Sequence, residues 1–366
     1  MRFSFHDLTR FAFFVLAGVL LSACAVIPMT PAESQMEDEL IVEDALGRTV
    51  ILNGPPQRIV IAGKANFMLN DAVYLFPQAK ERVVGLTKAK QNQGFLELIE
   101  PNAEEKLRFT VESSAEEIAA ANPDLVLLKS FMEKQVGSTL ASLDIPVVYL
   151  DLETPEQYRR DIAVLGQIFQ DEARAEAIIA FYDTRQTRIR TRLEGSETPG
   201  PEALVLQYDG RSEDVALEAP PPDWIQTWML EFVGATPVWT SEATGGWTIV
   251  NLEQIAAWDP AHIFIIDYLG DVEETVQSLR SAPLWQPLTA TQEGNLHAFP
   301  KDYYSWDQPD TRWILGVTWM AKQLHPELFA DVKMMDEVHD FYETLYGLDA
   351  ATVDEVIGPR IQGALP

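Results

Sequence analysis

Cysteine is almost missing from this sequence. Cys24 is the single one in 366 residues, so no disulfide can form within the chain. Histidine is scarce as well: His6, His262, His297, His325 and His339 are the five present, and none are close-spaced. A zinc site needs three or four clustered His or Cys ligands, so no metal site is expected, and each His reads as a surface or helix-end residue. Positive charge is in short supply. The 27 Lys and Arg residues stand against 56 Asp and Glu, a formal net charge of −29. A surface of that sign repels nucleic acid and anionic membranes as partners. The acids are spread through globular sequence rather than gathered in a tail, so the imbalance does not imply disorder. GxxxxGK[ST], GxSxG, CxxC and HExxH do not occur. The sequence therefore shows no phosphate-cradling loop, hydrolase elbow, redox pair or zinc-protease helix, and no catalytic machinery or cofactor is expected.

The apolar run FAFFVLAGVLL, Phe11 to Leu21, is too short to cross about 30 Å of hydrocarbon, which takes about 20 residues. With Arg2 and Arg10 before it, it fits the core of a secretory signal peptide over residues 1–23. The following LSAC, Leu21 to Cys24, resembles a bacterial lipobox. Cys24 is then the lipid-modified end of the mature chain, residues 24–39 its polar tether, and the globular part sits outside the cytoplasm.

Apolar residues make up 47% of the chain, enough for two cores, and its length suits about two domains. TVIL, RIVIA, RVVGL, DLVLL and PVVYL are short apolar strands between Thr49 and Leu150, alternating with helical segments. One helix is expected to start at NDAVYLF with Asn70 as cap; another, SAEEIAAAN, is capped by Ser113 or Ser114 with Glu116 or Glu117 completing a capping box. This alternation points to an α/β fold with parallel sheets covered on both faces. From Pro155 to Glu194 there is only helical spacing, including a segment of about 24 residues, hence about 36 Å. Strand and helix signals then resume with ALVLQY, DWIQTWMLEFVG, NLEQIAAWDP, HIFII, NLHAFP and TRWILGVTWMAKQLHP. The expected division is an N-terminal lobe at 40–153, bridging helices at 154–195 and a C-terminal lobe at 196–366. EEIAAANPDLVLL, from Glu116, and EQIAAWDPAHIFI, from Glu253, share five identities and place one helix–Pro–strand unit in each lobe; Asp124 of the first has Ala261 as its counterpart.

Open α/β sheets bind ligands beyond the carboxyl ends of their strands. In the first lobe those positions hold Lys64, Asn66, Phe67, Lys88, Lys90, Gln91, Lys129 and Phe131. In the second they hold Tyr208, Asp209, Arg211, Tyr268, Lys301, Tyr303, Tyr304 and Trp306, with Arg312 at the next helix start, and the TGGWT turn adds Trp247. Cations beside aromatics suit an anionic or carboxylate-bearing ligand with a flat, apolar body. The connection YYSWDQPDTRW carries four large aromatics and an Arg, which are costly to leave exposed.

These segments, in this order, together with SAPLWQPLTATQEGNLHAF and LHPELF, resemble the substrate-binding lipoproteins of ABC importers for iron–siderophore complexes, haem and vitamin B12. The resemblance covers nearly the whole mature chain. It implies two Rossmann-like lobes with mainly parallel sheets bridged by a single long helix, a ligand cleft between them, and small closure motions. It also implies a monomer that binds a metal chelate or small anionic ligand and delivers it to an ABC permease dimer with its ATPase, from a lipid anchor in the membrane. Glu116 and Glu253 match the glutamates that dock such receptors onto permease arginines. Some relatives carry molybdate or tungstate instead, so an oxyanion is the alternative cargo; an exported enzyme on the same scaffold is the alternative from another class.

Overall fold

A computed structural model describes residues 39–87, 94–194, 200–210, 216–241, 243 and 245–365. The expected signal peptide, Cys24, nearly all of the tether, and Lys88, Lys90, Gln91 and Arg211 lie outside those residues. The chain from Asp38 onward packs as one compact unit containing two main sheets.

The first strands, β1 (Leu40–Glu43) and β2 (Thr49–Leu52), make an antiparallel ribbon. Its turn is held by Asp44, whose Oδ1 accepts from Leu46 N at 3.0 Å and Arg48 N at 3.1 Å. Five strands follow: β3 (Ile59–Ile61), β4 (Val83–Thr87), β5 (Leu107–Phe109), β6 (Leu125–Lys129) and β7 (Val147–Leu150). They form a parallel sheet in the order β5-β4-β3-β6-β7. Its central strands, IVI and LVLLK, are buried at every position, as a strand covered on both faces requires. Helix α1 (Asn66–Val73) follows β3 through a turn with two left-handed residues, Gly63 at φ 83° and Ala65 at φ 52°. That turn starts the helix four residues ahead of the expected cap, so Asn70 lies inside it, buried.

Two helices cross to the second half, after a short one that stays within the first. α2 (Ala115–Ala119) belongs to the first duplicated unit, and α3 (Pro155–Phe169) leaves β7 behind an N-cap at Thr154. Left-handed Gln170 stops α3, Asp171 caps the next helix, and α4 (Glu172–Leu193) runs 22 residues, about 33 Å. Gly166 lets the pair close tightly, since a Cβ there would sit 2.6 Å from that of Ala175.

The second half holds β8 (Glu202–Asp209), β9 (Ala216–Ala219), helix α5 (Ile225–Phe232), β10 (Thr236–Pro237) and β11 (Thr248–Val250). Helix α6 (Leu252–Trp258), β12 (His262–Ile266), α7 (Val272–Ser281), β13 (Leu296–Ala298), α8 (Trp313–Leu324) and α9 (Met334–Tyr346) complete it. Its sheet order is β11-β9-β8-β12-β13, with β10 beside β8. β8, β10, β12 and β13 are parallel; β9 pairs antiparallel with β8, and β11 pairs antiparallel with β9. Two α/β halves with mainly parallel sheets and a long helix between them match the expected fold.

The duplicated units are superposable in their chemistry. α2 and α6 each start with a full capping box, Ser114 with Glu117 and Asn251 with Gln254. Each is followed by a left-handed residue, Asn122 at φ 49° and Asp259 at φ 39°. Each then feeds an inner strand, β6 or β12. Asp124 ties down a neighbouring segment through Gln57 N at 2.7 Å and Arg58 N at 2.8 Å. Ala261 cannot do this in the second unit, but Asp259 holds Thr289 N and Oγ1 at 2.9 and 2.8 Å.

One apolar core runs from the first sheet (Ile61, Leu69, Val73) through the bridge (Ile162, Leu165, Ile178) to the second (Leu204, Ile263, Phe264). Polar ties reinforce it. The Arg174 guanidinium of α4 donates to Leu75 O at 2.9 Å on one side and to Thr344 O and Leu345 O at 3.0 and 2.6 Å on the other. Further along α4, Arg185 and Arg188 grip Glu337 of α9 at 3.0 and 2.6 Å.

Candidate functional site

In the first sheet the strand order reverses between β3 and β6, so the loops leaving their carboxyl ends diverge and leave a crevice. Those loops supply Phe67, Met68 and Phe131 to a cavity of about 610 Å³. The start of α3 adds Glu153, Thr154 and Gln157. The second half closes it with Asp223, Trp224 and Gln226 at the start of α5, with Trp247 and Tyr268, and with Gln308 and Pro309. The cavity thus takes walls from both sheets and from the bridge.

A second cavity, about 780 Å³, shares Trp247 and Tyr268 with the first and lies over the ends of β8 and β12. Gln207, Tyr208, Asp209, Glu218, Asp267 and Asp271 are among its lining residues. A third hollow, of about 950 Å³, is lined by residues of α7, β13 and α8 such as Gln277, His297 and Trp319 and takes nothing from the first sheet or the bridge. We therefore place the site in the first cavity and its side chamber.

The aromatic walls are mutually braced. Trp224 meets Trp247 edge-on at 5.5 Å, and Trp247 meets Tyr268 edge-on at 6.3 Å. The Tyr268 hydroxyl donates to Asp307 Oδ2 at 2.6 Å, and Gln226 Nε2 donates to the same oxygen at 3.0 Å. Burial pushes the Asp307 carboxyl above the ordinary carboxylate range, against the pull of these hydrogen bonds. Asp307 is fully buried and so orients two lining side chains from behind.

The cations expected at a site are engaged elsewhere. Lys129 is buried, pairs with Glu153 Oε1 at 2.5 Å and donates to Asp151 O. Lys64 is exposed on the turn before α1 and is not part of the lining. Asn66, beside it, is buried and donates to Thr87 O. Arg312 has no exposed surface: it pairs with Asp71 at 2.7 Å, Asp302 at 2.8 Å and Asp310 at 2.9 Å, and lies 4.1 Å from the Phe95 ring centre. Three carboxylates around one guanidinium cannot all ionise in a dry interior. Burial raises Asp71 to about 6 and Asp310 to about 8 despite the adjacent Arg312 charge.

Most of the YYSWDQPDTRW connection serves this knot. Trp306 is buried and donates to Asp302 Oδ2 at 2.9 Å, and Tyr303 packs against Phe95 at 5.4 Å. Tyr304 is buried under Phe67, stacked at 4.9 Å, so it backs the cleft wall without lining it. Of the residues singled out from sequence, Phe67, Phe131, Tyr208, Asp209, Trp247 and Tyr268 come together around the two cavities. Trp224, Gln226, Gln157 and Gln308 were not foreseen. The Pro-rich break PPPDW before α5, which leaves a Trp half in solvent, is the signal that could have found Trp224. Glu116 and Glu253 are both exposed in the first turns of α2 and α6. Among the described residues, no His, Cys, Asp and Glu cluster could hold a bare metal ion.

Known proteins share this architecture. The chain is 22% identical over 357 residues, 89% of its own length and 95% of the relative's, to the molybdate-binding protein MolA of Haemophilus influenzae. A periplasmic solute binding protein from Veillonella parvula superposes with a TM-score of 0.72 at 22% identity, covering 88% of this chain and 97% of that one. Helicobacter pylori CeuE, crystallised with nickel and histidine, superposes at 0.64 with 19% identity, over 87% and 99% of the two chains. The family model described as periplasmic binding protein matches residues 80–303, more than half of the sequence. With that match on a cleft built between two α/β halves, the chain belongs to the periplasmic binding protein family.

Proposed function

We propose that this protein is an extracytoplasmic receptor that takes up a metal chelate, such as an iron–siderophore complex, and passes it unaltered to an ABC permease. The observation that carries the reading is the cleft itself. About 610 Å³ is in the range of a small organic ligand, and its walls are mostly aromatic and amide side chains. A chelate buries an organic shell against such walls, whereas a tetrahedral oxyanion needs a small pocket of N–H donors. The likeness to MolA favours molybdate as the second reading. In the proposed arrangement Cys24 carries the lipid anchor, residues 40–153 and 196–366 form the lobes, and 154–195 the bridge. Glu116 and Glu253, at matching places in the duplicated units, meet the two halves of the permease. Phe67, Trp247 and Tyr268 grip the cargo, with Tyr208 beside them; Asn66, Lys129, Tyr303, Tyr304, Trp306 and Arg312 support these walls.

Titration of tryptophan emission with ferric siderophores, haem, cobinamide and molybdate tests this. Saturable, stoichiometric quenching by a chelate, with the chelate recovered intact, is expected. Saturation by molybdate alone would sink the chelate reading, and turnover of any ligand would sink the receptor reading. Reversing both glutamates, Glu116→Arg with Glu253→Arg, is expected to abolish import while chelate affinity stays within about twofold.

A further inference from the structure

The two cavities, which share Trp247 and Tyr268 as walls, carry one sign of charge. Every titratable side chain on their walls, among the described residues, is a carboxyl or a tyrosine. The cleft has Glu153 and Asp223; the side chamber has Asp209, Glu218, Asp267, Asp271 and Glu274. Some of these are occupied. Glu153 is paired with Lys129, Asp271 caps α7, and Asp267 accepts from Leu269 N, Gly270 N and Thr275 Oγ1. Lys301 stands behind the chamber wall, donating to Asp267 O at 2.8 Å and to Gly270 O. Acidic lining alone would be an ordinary solvated face.

Two buried oxygens set it apart. Gln207, on the chamber wall, is 9% exposed, and its Oε1 has no hydrogen-bond partner. Gln226, on the cleft wall, is 4% exposed, and its Oε1 is also without a partner. The orientation of Gln226 is fixed, because its Nε2 is spent on Asp307. Its free group is thus the carbonyl, an acceptor. Gln207 stands directly opposite Glu218 across the β8–β9 ladder, so an amide and a carboxylate share that face. The Tyr268 hydroxyl hydrogen is likewise committed to Asp307, leaving its ring face to the cavity. A buried acceptor without a donor is costly, and its satisfaction by a ligand is worth more than a contact on an open surface. The aromatic rings of Tyr208, Trp247 and Tyr268 surround the same chamber, as a cation requires of its neighbours.

From this juxtaposition we infer that the cargo carries a positively charged, donor-bearing arm, an ammonium or guanidinium group, which enters the side chamber over Tyr208, Trp247 and Tyr268 and is held by Glu218 and Gln207. The inference rests on the chelate-receptor reading and specifies the charge of the chelate. It runs against the cation-lined pocket that an anionic cargo would need.

The test uses the whole mature protein and a linear ferric trihydroxamate ending in a primary amine, compared with its N-acetyl and N-succinyl forms. These differ only in the charge of the arm. The amine form is expected to bind about tenfold more tightly than the acetyl form, and the succinyl form more weakly than either. Raising salt should narrow the gap. Glu218→Gln should cut the amine-over-acetyl preference to about threefold. Chelates bound without regard to the arm's charge, or the succinyl form bound best, overturn the inference and leave the chelate reading intact. If none of the three binds, 3-phenylpropylammonium against butylbenzene, its neutral methyl isostere, decides. Preference for the cation then keeps the inference and removes the chelate reading, and no preference overturns both.

Discussion

The connection from Lys301 to Trp313 contributes to two sites of opposite design. Its Arg312 sits in a dry knot with Asp71, Asp302 and Asp310, joining α1 of the first half to the second. Its Gln308 and Pro309, only a few residues away, reach the cleft. In the knot, acids outnumber the cation, every group is buried, and the surplus negative charge is relieved by protons. In the cleft, Asp223 stands exposed to water and Glu153 is only partly buried. The same residue types therefore do different work according to their access to water. An Arg among aromatics, which reads from sequence as a ligand anchor, becomes here a fastening between halves because three carboxylates claim it first.

Removing the cation should break the contrast most severely. Arg312→Leu leaves buried carboxylates without their partner and is expected to cost about 3–5 kcal/mol, a fall in melting temperature of roughly 10 °C by circular dichroism. Next is the cleft: Trp247→Ala removes a ring shared by both cavities and should weaken chelate binding by about 2 kcal/mol, roughly thirtyfold, in a fluorescence titration. Its melting temperature should move far less than that of the Arg312 variant.

A pH series separates the two regions more finely. In the folded protein Asp310 holds its proton to about 8 and Asp71 to about 6, above the ordinary carboxylate value. The folded state thus binds more protons than the unfolded chain as pH climbs from the ordinary carboxylate range towards 8. Stability from this source is present at low pH and is lost as pH rises through those values. Asp310→Asn, which mimics the protonated acid, should flatten that decline. Relative to wild type it should gain on the order of 1–2 kcal/mol between pH 5 and pH 8.5, measured by urea melts. The smallest effect belongs to the exposed rim. Asp223→Asn should leave stability within about 0.5 kcal/mol at every pH. Equal pH dependence in the Asp310 and Asp223 variants would erase the distinction drawn between knot and cleft.

Much of the fold was legible because its signals are local. The capping box at Ser114 and the Pro breaks before the apolar strands β6 and β12 lie within about a dozen residues each. The start of α1 was not, since a left-handed Ala65 has no sequence signature and is imposed by the turn out of β3. Strands β9 and β11, ALEA and TIV, are short and half-buried and gain their meaning only by pairing with each other and β8. The cleft was half legible. Strand ends pointed to Phe67, Tyr208, Trp247 and Tyr268. They could not reveal that Arg312 and Lys129 would find acidic partners hundreds or tens of residues away.

The length of α4 also has a mechanical meaning. Arg174 near one end and Arg185 and Arg188 further along all fasten it to α9, so the two helices lie side by side as a single beam. Splicing two extra turns between these clamps, about seven residues, would carry one of them about 10 Å along α9 past its partner. The span of the bridge is therefore a dimension shared by two elements, and lengthening either one calls for the same change in the other.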